Sequence, residues 1–210
     1  MIDVYVASIP SAEPSLPLSC AERQSDIDKI SNERARREKY YAWRLLEYAI
    51  KNSLGADASR LYFTKGENRR WSSDTVEFSL SHSSDAVAVA IFNPCNGREK
   101  QLVGVDIEGI KVRNIERMAD YMLSPAEHIR FESLDSVERE EWLIRRWCEK
   151  EAAFKSFDEK IFAPKKIETA ELFCESKKIK IGENEYILAV AAKESDEIRI
   201  FKDIDFKDLK

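Results

Sequence analysis

Two long helical segments, each bordered by short strand-like segments, constrain the fold of this chain most strongly. In the first, over residues 31–54, apolar residues recur at helical spacing, and Gly55 follows as a helix stop signal. The second spans residues 137–157. A strand-like segment precedes each of them, at residues 2–9 and at 102–107. This order predicts an α+β fold built from two similar subdomains.

The shorter predicted elements follow a common order in the two halves. Strands are predicted at residues 61–64, 76–81 and 87–92, then at 170–174 and 186–192, with a further helical stretch over 115–132. Residues 93–100, rich in Pro, Gly, Asn and charge, are the predicted linker. We therefore expect an N-terminal subdomain over residues 1–100 and a C-terminal subdomain over residues 101–210.

Composition argues against several classes of protein. The 210 residues include 34 Lys and Arg against 39 Asp and Glu, a net charge of −5, which disfavours a general nucleic-acid or membrane-surface binder. The longest apolar run, Ala86–Phe92, is too short to span a membrane, and residues 1–10 show no signal peptide. The four cysteines are scattered without a CxxC pair, which disfavours a disulfide framework or a zinc site and favours the cytoplasm.

The segment VGVDIEG, residues 103–109, places two carboxylates on one strand face. Side chains two apart on a strand point the same way, so Asp106 and Glu108 project together, about 6–7 Å apart at the backbone. Val105 and Ile107 face the opposite way, into a core. A hard divalent cation such as Mg²⁺ would neutralise the pair. The alternative is a solvated strand face that ends in a turn.

The segment RRWCEKEAAFKSF, residues 145–157, interrupts an apolar helical stripe with a lysine. Lys150 occupies a position in that stripe, and Glu151 and Lys155 lie beside it, one turn apart. One interpretation is a surface Glu–Lys pair with Lys150 at the edge of the core. The other has Glu151 completing a metal site while both lysines face phosphate oxygens. The stripe is formed by Leu143, Trp147, Phe154 and Phe157.

A polar SHSS cluster lies at the end of a predicted strand. His82 stands between Ser81 and Ser83, and such a cluster can present hydroxyl, imidazole and backbone N–H groups to an anion. The alternative is a histidine with a purely structural role. His128, the second histidine, has no polar constellation around it and is interpreted as structural.

Basic residues of the first half offer a further anion site in an acidic chain. Arg36, Arg37 and Lys39 begin the first long helix, and Arg69 and Arg70 lie in a turn before the SHSS strand. Such residues can be solvated surface groups. With the nearby histidine, they can instead hold a ligand that carries several phosphates.

These three motifs, in this order and at these distances, resemble those of the Sfp-type 4′-phosphopantetheinyl transferase family. They read FSLSHSS, GVDIE (residues 104–108) and WCEKEAAFK (residues 147–155), and the LSPAE segment at residues 123–127 also fits. Two positions depart from the family pattern: Ser79 stands in place of Asn, and Arg70 corresponds to the lysine of a GKP turn. The resemblance implies a monomer with two pseudo-symmetric α/β subdomains, each a long helix packed on a small, mostly antiparallel sheet.

The resemblance also implies an activity. The chain would transfer the 4′-phosphopantetheine arm of coenzyme A to a serine of an apo acyl or peptidyl carrier protein, releasing 3′,5′-ADP. Asp106, Glu108 and Glu151 would hold Mg²⁺, or Mn²⁺, against the pyrophosphate. Lys150 and Lys155 would offset the charge of the transferred group. Either Glu151 or a metal-bound water would accept the serine proton.

The implied coenzyme A site lies between the two halves. Ser81, His82, Arg70 and Lys155 would contact its phosphates, and the 3′-phosphate would also be reached from the basic helix by Arg36, Arg37 or Lys39. We expect the carrier to dock on residues just after the metal-binding strand, although those residues can equally be ordinary helix core. The docking residues would be Met118, Tyr121, Met122 and Leu123.

Two other functions use the same residues. A coenzyme A or nucleotide-binding module without chemistry would need the SHSS cluster and the basic residues, and need not keep three carboxylates. A metal-dependent phosphohydrolase would use those carboxylates with water in place of serine. The carrier itself is not named by the sequence, because fatty-acid, polyketide and nonribosomal-peptide carriers all present a comparable serine.

Overall fold

The computed structural model describes residues 1–66, 70–83, 85–94, 99–157, 161–169 and 172–206. Several sequence predictions lie outside these ranges: Arg69, the last serine of the SHSS cluster, residues 95–98 of the linker, and the first two residues of the strand predicted at 170–174. The rest can be compared with the structure directly.

The architecture is α+β, as the sequence predicts. Within the described residues the α-helices are α1 (Ala21–Asp28), α2 (Glu33–Leu54), α3 (Ile115–Met122), α4 (Pro125–Glu132) and α5 (Ser136–Lys155). The strands are β1 (Ile2–Ser8), β2 (Phe63–Lys65), β3 (Trp71–Ser73), β4 (Phe78–Ser83), β5 (Ala86–Phe92), β6 (Val103–Gly109), β7 (Phe173–Ile181), β8 (Asn184–Ala192) and β9 (Ile198–Phe201). Short 3₁₀ turns lie at Ala58–Arg60 and Pro164–Lys166.

The first long helix, α2, packs on a four-stranded sheet of order β4-β5-β1-β9. β5 pairs antiparallel with both β4 and β1. Asn32 caps the start of the helix, its side chain accepting a hydrogen bond from Ala35 N, and Gly55 caps its end in the left-handed conformation. Its buried face is apolar and includes Trp43, Leu46 and Ile50, so burial of apolar area holds it on the sheet.

The second long helix, α5, packs on a three-stranded antiparallel sheet of order β6-β8-β7. Asp135 caps its first turn in a reciprocal pair of hydrogen bonds with Glu138. The helix approaches β6 so closely that a Cβ on Gly104 would lie 1.8 Å from the carbonyl oxygen of Ala152. Only glycine leaves room for this approach.

The two sheets share one apolar core. Alternate residues of β1 and β5, such as Val4 and Ala88, pack against alternate residues of β6 and β8, such as Val105 and Val190. Each long helix covers the opposite face of its own sheet. The edge strands β4 and β6 also meet, through side chains described below. This joint positions the candidate site.

The last strand returns to the first sheet. β9 pairs in parallel with β1, and Arg199 forms two hydrogen bonds of 2.7 and 2.8 Å to the buried carboxylate of Asp3. The division at residues 100 and 101 stays a prediction; β9 follows it in sequence but joins the sheet of the N-terminal half. Among the described residues, no helix is both long and apolar enough to cross a membrane.

The stretch predicted as one helix over residues 115–132 is two helices. α3 ends at Met122 and α4 begins at Pro125, because Ser124 caps α4 and exchanges hydrogen bonds with Glu127. The small helix α1 and the strands β3 and β9 were not expected from the sequence.

Candidate active site

The site is built where β6 passes under α5. Strand alternation turns Asp106 and Glu108 to one side, and the contact between Gly104 and α5 brings Glu151 and Lys155 towards them. The predicted pairing of strand carboxylates with the helix motif is therefore present as a spatial arrangement.

Asp106 is the most deeply placed of these groups, with 5% of its side chain exposed. Its Oδ1 accepts hydrogen bonds from Ser81 Oγ at 2.7 Å and from Lys155 Nζ at 2.8 Å. Within the described residues, Oδ2 is buried without a hydrogen-bond partner. A buried carboxylate oxygen without a donor is costly, so this atom is available to a ligand such as a cation.

Glu108 lies nearer the surface on the same face. Its Oε2 accepts a hydrogen bond of 2.5 Å from Ser83 Oγ. Burial raises the pKa of Glu108 to about 7, and the nearby carboxylates of Asp106 and Glu151 act in the same direction. Ser83 and Lys155 oppose that rise. The three acids therefore repel each other, which is the situation that a bound cation relieves.

Lys155 stands among these carboxylates. Its Nζ donates to Asp106 Oδ1 and to the carbonyl oxygen of Val105 at 3.2 Å, and lies 3.9 Å from Glu151 Oε2. Burial raises the pKa of Glu151, assisted by Asp106 and opposed by Lys155. The lysine supplies positive charge to the acids and is near enough to meet an anion bound there.

The donor set suits a hard divalent cation. Carboxylate oxygens are the ligands that Mg²⁺ and Mn²⁺ accept, and the buried Oδ2 of Asp106 is one such oxygen. In the part of the chain that the structure describes, however, no three His, Cys, Asp or Glu side chains form a ready-made metal site. Binding through Asp106, Glu108 and Glu151 would therefore require at least one of these side chains to adjust.

His82 lies at the end of β4, beside the basic helix. Its side chain is 35% exposed, and Nδ1 lies 3.4 Å from Glu38 Oε2. Burial lowers the pKa of His82, and the positive charges of Lys155, Lys39 and Arg23 also lower it, whereas Glu38 raises it. His82 therefore stands within a basic group formed by three cations, which suits an anionic ligand.

Lys150, predicted to face phosphates, is 1% exposed and bonded elsewhere. Its Nζ donates to the carbonyl oxygens of Met122 and Pro164, at 3.2 and 2.8 Å, and to Glu127 Oε2 at 2.7 Å. All three ammonium protons thus have partners. The structure brings Lys150 together with the start of α4 and with the segment after α5.

The remaining basic candidates also have partners outside the carboxylate cluster. Arg36 lies 3.6 Å from Glu13, and Arg37 donates to the carbonyl oxygen of Ser11. Arg70 donates to the carbonyl oxygen of Phe157, after the end of α5. Of the three residues proposed for the basic helix, Lys39 is the one whose charge acts on His82.

The predicted docking residues are partly core. Met122 and Leu123 are fully buried, which is wrong for a docking surface and follows from their packing against Leu143. Tyr121 is 55% exposed, and its ring lies near the ring of Trp147 at a tilted angle. Met118 is half-buried against the same core, so of these four residues only the tyrosine is an accessible apolar group.

Several site residues were missed at the sequence level. Arg23 lies over the rings of Trp43 and Trp71, and burial lowers its pKa. Glu38 lies beside His82, four residues after Arg34 on α2. Neither residue carries a sequence signal for a site, because both act through contacts made across the fold.

Comparison with known proteins gives two matches. The family model described as the 4′-phosphopantetheinyl transferase superfamily matches residues 102–200, the region of the carboxylates and α5. A Haemophilus influenzae protein named "Putative 4'-phosphopantetheinyl transferase" is 32% identical over 116 residues. That match covers 54% of this chain and 46% of the relative, so the chain spans less than half of the relative's length in the match.

Proposed function

We propose that this chain, which belongs through residues 102–200 to the 4′-phosphopantetheinyl transferase superfamily, transfers phosphopantetheine from coenzyme A to a carrier-protein serine. One observation carries the proposal: Asp106, with a buried oxygen that has no hydrogen-bond partner among the described residues, lies with Glu108, Glu151 and Lys155 at the contact between β6 and α5. Because Ser81 and His82 of the first half border this cluster, we also propose the Sfp type, with both halves in one monomer.

Asp106, Glu108 and Glu151 would hold Mg²⁺ or Mn²⁺, with the pyrophosphate of coenzyme A as a further ligand. The cation supplies charge stabilisation to the phosphate oxygens. Lys155 would exchange its bond to Asp106 for one to a phosphate oxygen when that ligand arrives. Asp106 itself would stay fixed from the other side by the Ser81 hydroxyl, which is 2.7 Å away.

In the proposed reaction, the carrier serine oxygen forms a bond to the β-phosphorus of coenzyme A. The bond from that phosphorus to the bridging oxygen breaks, and 3′,5′-ADP leaves with the electron pair. One oxygen of the Glu151 carboxylate, which lies beside Lys155 in the acidic cluster, would accept the serine proton. Lys155 would stabilise the charge that develops on the phosphate oxygens.

The basic group around His82 would hold the phosphates at the nucleotide end. His82, Lys39 and Arg23 are the strongest candidates, because the charges of Lys39 and Arg23 both act on His82. Lys150 would position the corner between α3 and α4 and would not touch phosphate.

The partner would be an acyl or peptidyl carrier protein. The three described cysteines are free, which suits the reducing conditions of the cytoplasm.

Release of 3′,5′-ADP tests the proposal and separates transfer from hydrolysis. The protein is incubated with coenzyme A and Mg²⁺, with an apo-carrier, with the carrier's Ser→Ala variant, or with no carrier. We expect nucleotide release only with the intact carrier, and none after EDTA is added. Equal release without a carrier would contradict the transferase and would indicate a phosphohydrolase.

A further inference from the structure

Three serines of β4 join the two sheets at their edges. Val105 N, Ile107 N and Gly109 N of β6 donate to the hydroxyl oxygens of the serines 26 residues earlier, at 3.1, 3.4 and 3.3 Å. On both strands the bonded residues are two apart, so the serine side chains point to the same side and their hydroxyls lie in one row. Edge strands expose unpaired backbone groups, and here side chains satisfy them. The row consists of Ser79, Ser81 and Ser83.

Two hydroxyls of this row also donate to carboxylates. Ser81 donates to Asp106 at 2.7 Å, and Ser83 donates to Glu108 at 2.5 Å. In both cases the carboxylate belongs to the residue just before the β6 residue whose N–H the same serine accepts. Ser79 is the third member, and the corresponding residue before Val105 is Gly104, which has no side chain.

These contacts fix the direction in which the serine hydroxyl proton points. A serine hydroxyl has one proton and two lone pairs, so an N–H donor on one side directs the proton towards the other. At Ser83, Gly109 N and Glu108 Oε2 are those two partners. The Glu108 carboxylate ends a side chain with three rotatable bonds, and holding it in one position otherwise costs conformational entropy.

We propose that Ser83 is a positioning residue that sets the Glu108 carboxylate for the divalent cation. The inference rests on the proposed function, because it takes Glu108 as a metal ligand. Ser83 acts through Glu108 and does not touch the cation. The row thereby couples the two halves, because β4, which borders the basic group, orients the carboxylates of β6 in the other sheet.

The test is Mn²⁺ binding to the full chain without coenzyme A or carrier, measured by electron paramagnetic resonance. We expect Ser83→Ala to weaken Mn²⁺ binding about tenfold or more, as is usual when a partner of a metal ligand is removed. In the transfer assay, the KM for Mn²⁺ should rise while kcat at saturating Mn²⁺ changes less. Ser79→Ala is the matched control: it loses the same backbone bond but no carboxylate contact, so it should lower the melting temperature and leave Mn²⁺ affinity unchanged.

A second pair isolates the hydroxyl if the alanine variant folds poorly. Ser83→Thr keeps the hydroxyl and Ser83→Val has nearly the same shape without it, so threonine should bind Mn²⁺ more tightly than valine. Equal affinity in this pair, or an equal loss in Ser79→Ala and Ser83→Ala, would overturn the positioning role while the proposed function stands. No Mn²⁺ binding by the unaltered protein would instead contradict the metal site on which the inference rests.

Discussion

The two halves place a long helix on a sheet in different ways. α2 packs through large apolar side chains: Trp43 is fully buried among Phe63, Trp71 and Phe78. α5 packs through small residues such as Ala152, and its buried face also carries a charged group, Lys150.

The two ways of packing suit two different roles, one in stability and the other in the chemistry of the site. A helix held by large apolar residues buries much apolar area and so contributes stability. A helix held by alanines against Gly104 lies close enough for its charged side chains to meet the acids of β6. We infer that in the second half close contact between charged side chains of α5 and the acids of β6 replaces some apolar burial. The first half contributes stability, and its strand β4 orients the carboxylates of β6.

Trp43→Ala should produce the largest loss of stability in this comparison. Removal of a fully buried Trp costs about 3–5 kcal/mol, because the cavity remains largely unfilled. Under conditions where the variant is folded, Mn²⁺ affinity should match that of the unaltered protein. Urea unfolding and a Mn²⁺ titration measure the two quantities. A large fall in Mn²⁺ affinity would show that packing in the first half also affects the metal site, which would contradict this division of roles.

Gly104→Val should affect both properties. A side chain there meets the backbone of α5, so we expect a loss of about 3 kcal/mol or more and loss of transfer activity. Gly109→Ala on the same strand is the control, because its nearest neighbour is the ring of Tyr186 at 3.8 Å. Thermal unfolding checks the pair. Equal stability of the two variants would refute the close approach of α5 to β6.

Lys150→Met should cost less, about 2–3 kcal/mol. The change removes the ammonium from Glu127, whose carboxylate keeps the Ser124 N–H, and leaves two carbonyl oxygens without that donor. A second substitution, Glu127→Gln, should recover part of the loss because it removes the unpaired charge. Urea unfolding of the two single variants and the double variant gives the coupling. Purely additive losses would contradict a direct Lys150–Glu127 pair.

The last effect is a pH dependence. The folded pKa of Glu108, about 7, lies above its ordinary value of 4.5, so the folded state binds more protons between these limits. Stability contributed by the protonated form is therefore present below pH 4.5 and is lost as the pH rises to 7. In EDTA, the free energy of unfolding should fall more steeply over this range than in Glu108→Gln. Parallel curves would contradict the raised pKa.

Patterns within a few residues were enough to predict much of the site. Strand alternation placed Asp106 and Glu108 on one face, and the lysine inside an apolar stripe marked Lys150 as unusual. The break before Pro125 was not predicted, although Ser124 and Glu127 have the spacing of a capping box.

Contacts between distant segments could not be predicted. The partners of Lys150 come from Met122 and Pro164, which no periodicity relates to α5. β9 pairs with β1 across nearly the whole chain, and its four residues are too few for a clear pattern. The serine row likewise depends on the register between edge strands of two different sheets.

Intact mass of a purified apo-carrier tests the central claim most directly. The carrier is incubated with coenzyme A, Mg²⁺ and the unaltered protein, Glu151→Gln, or Glu141→Gln, a control on the same helix that bonds to Lys178 and Arg145. We predict one added phosphopantetheine with the unaltered protein and with Glu141→Gln, and an unmodified carrier with Glu151→Gln. Unimpaired transfer by Glu151→Gln, or no transfer by the unaltered protein to any carrier, would contradict the account.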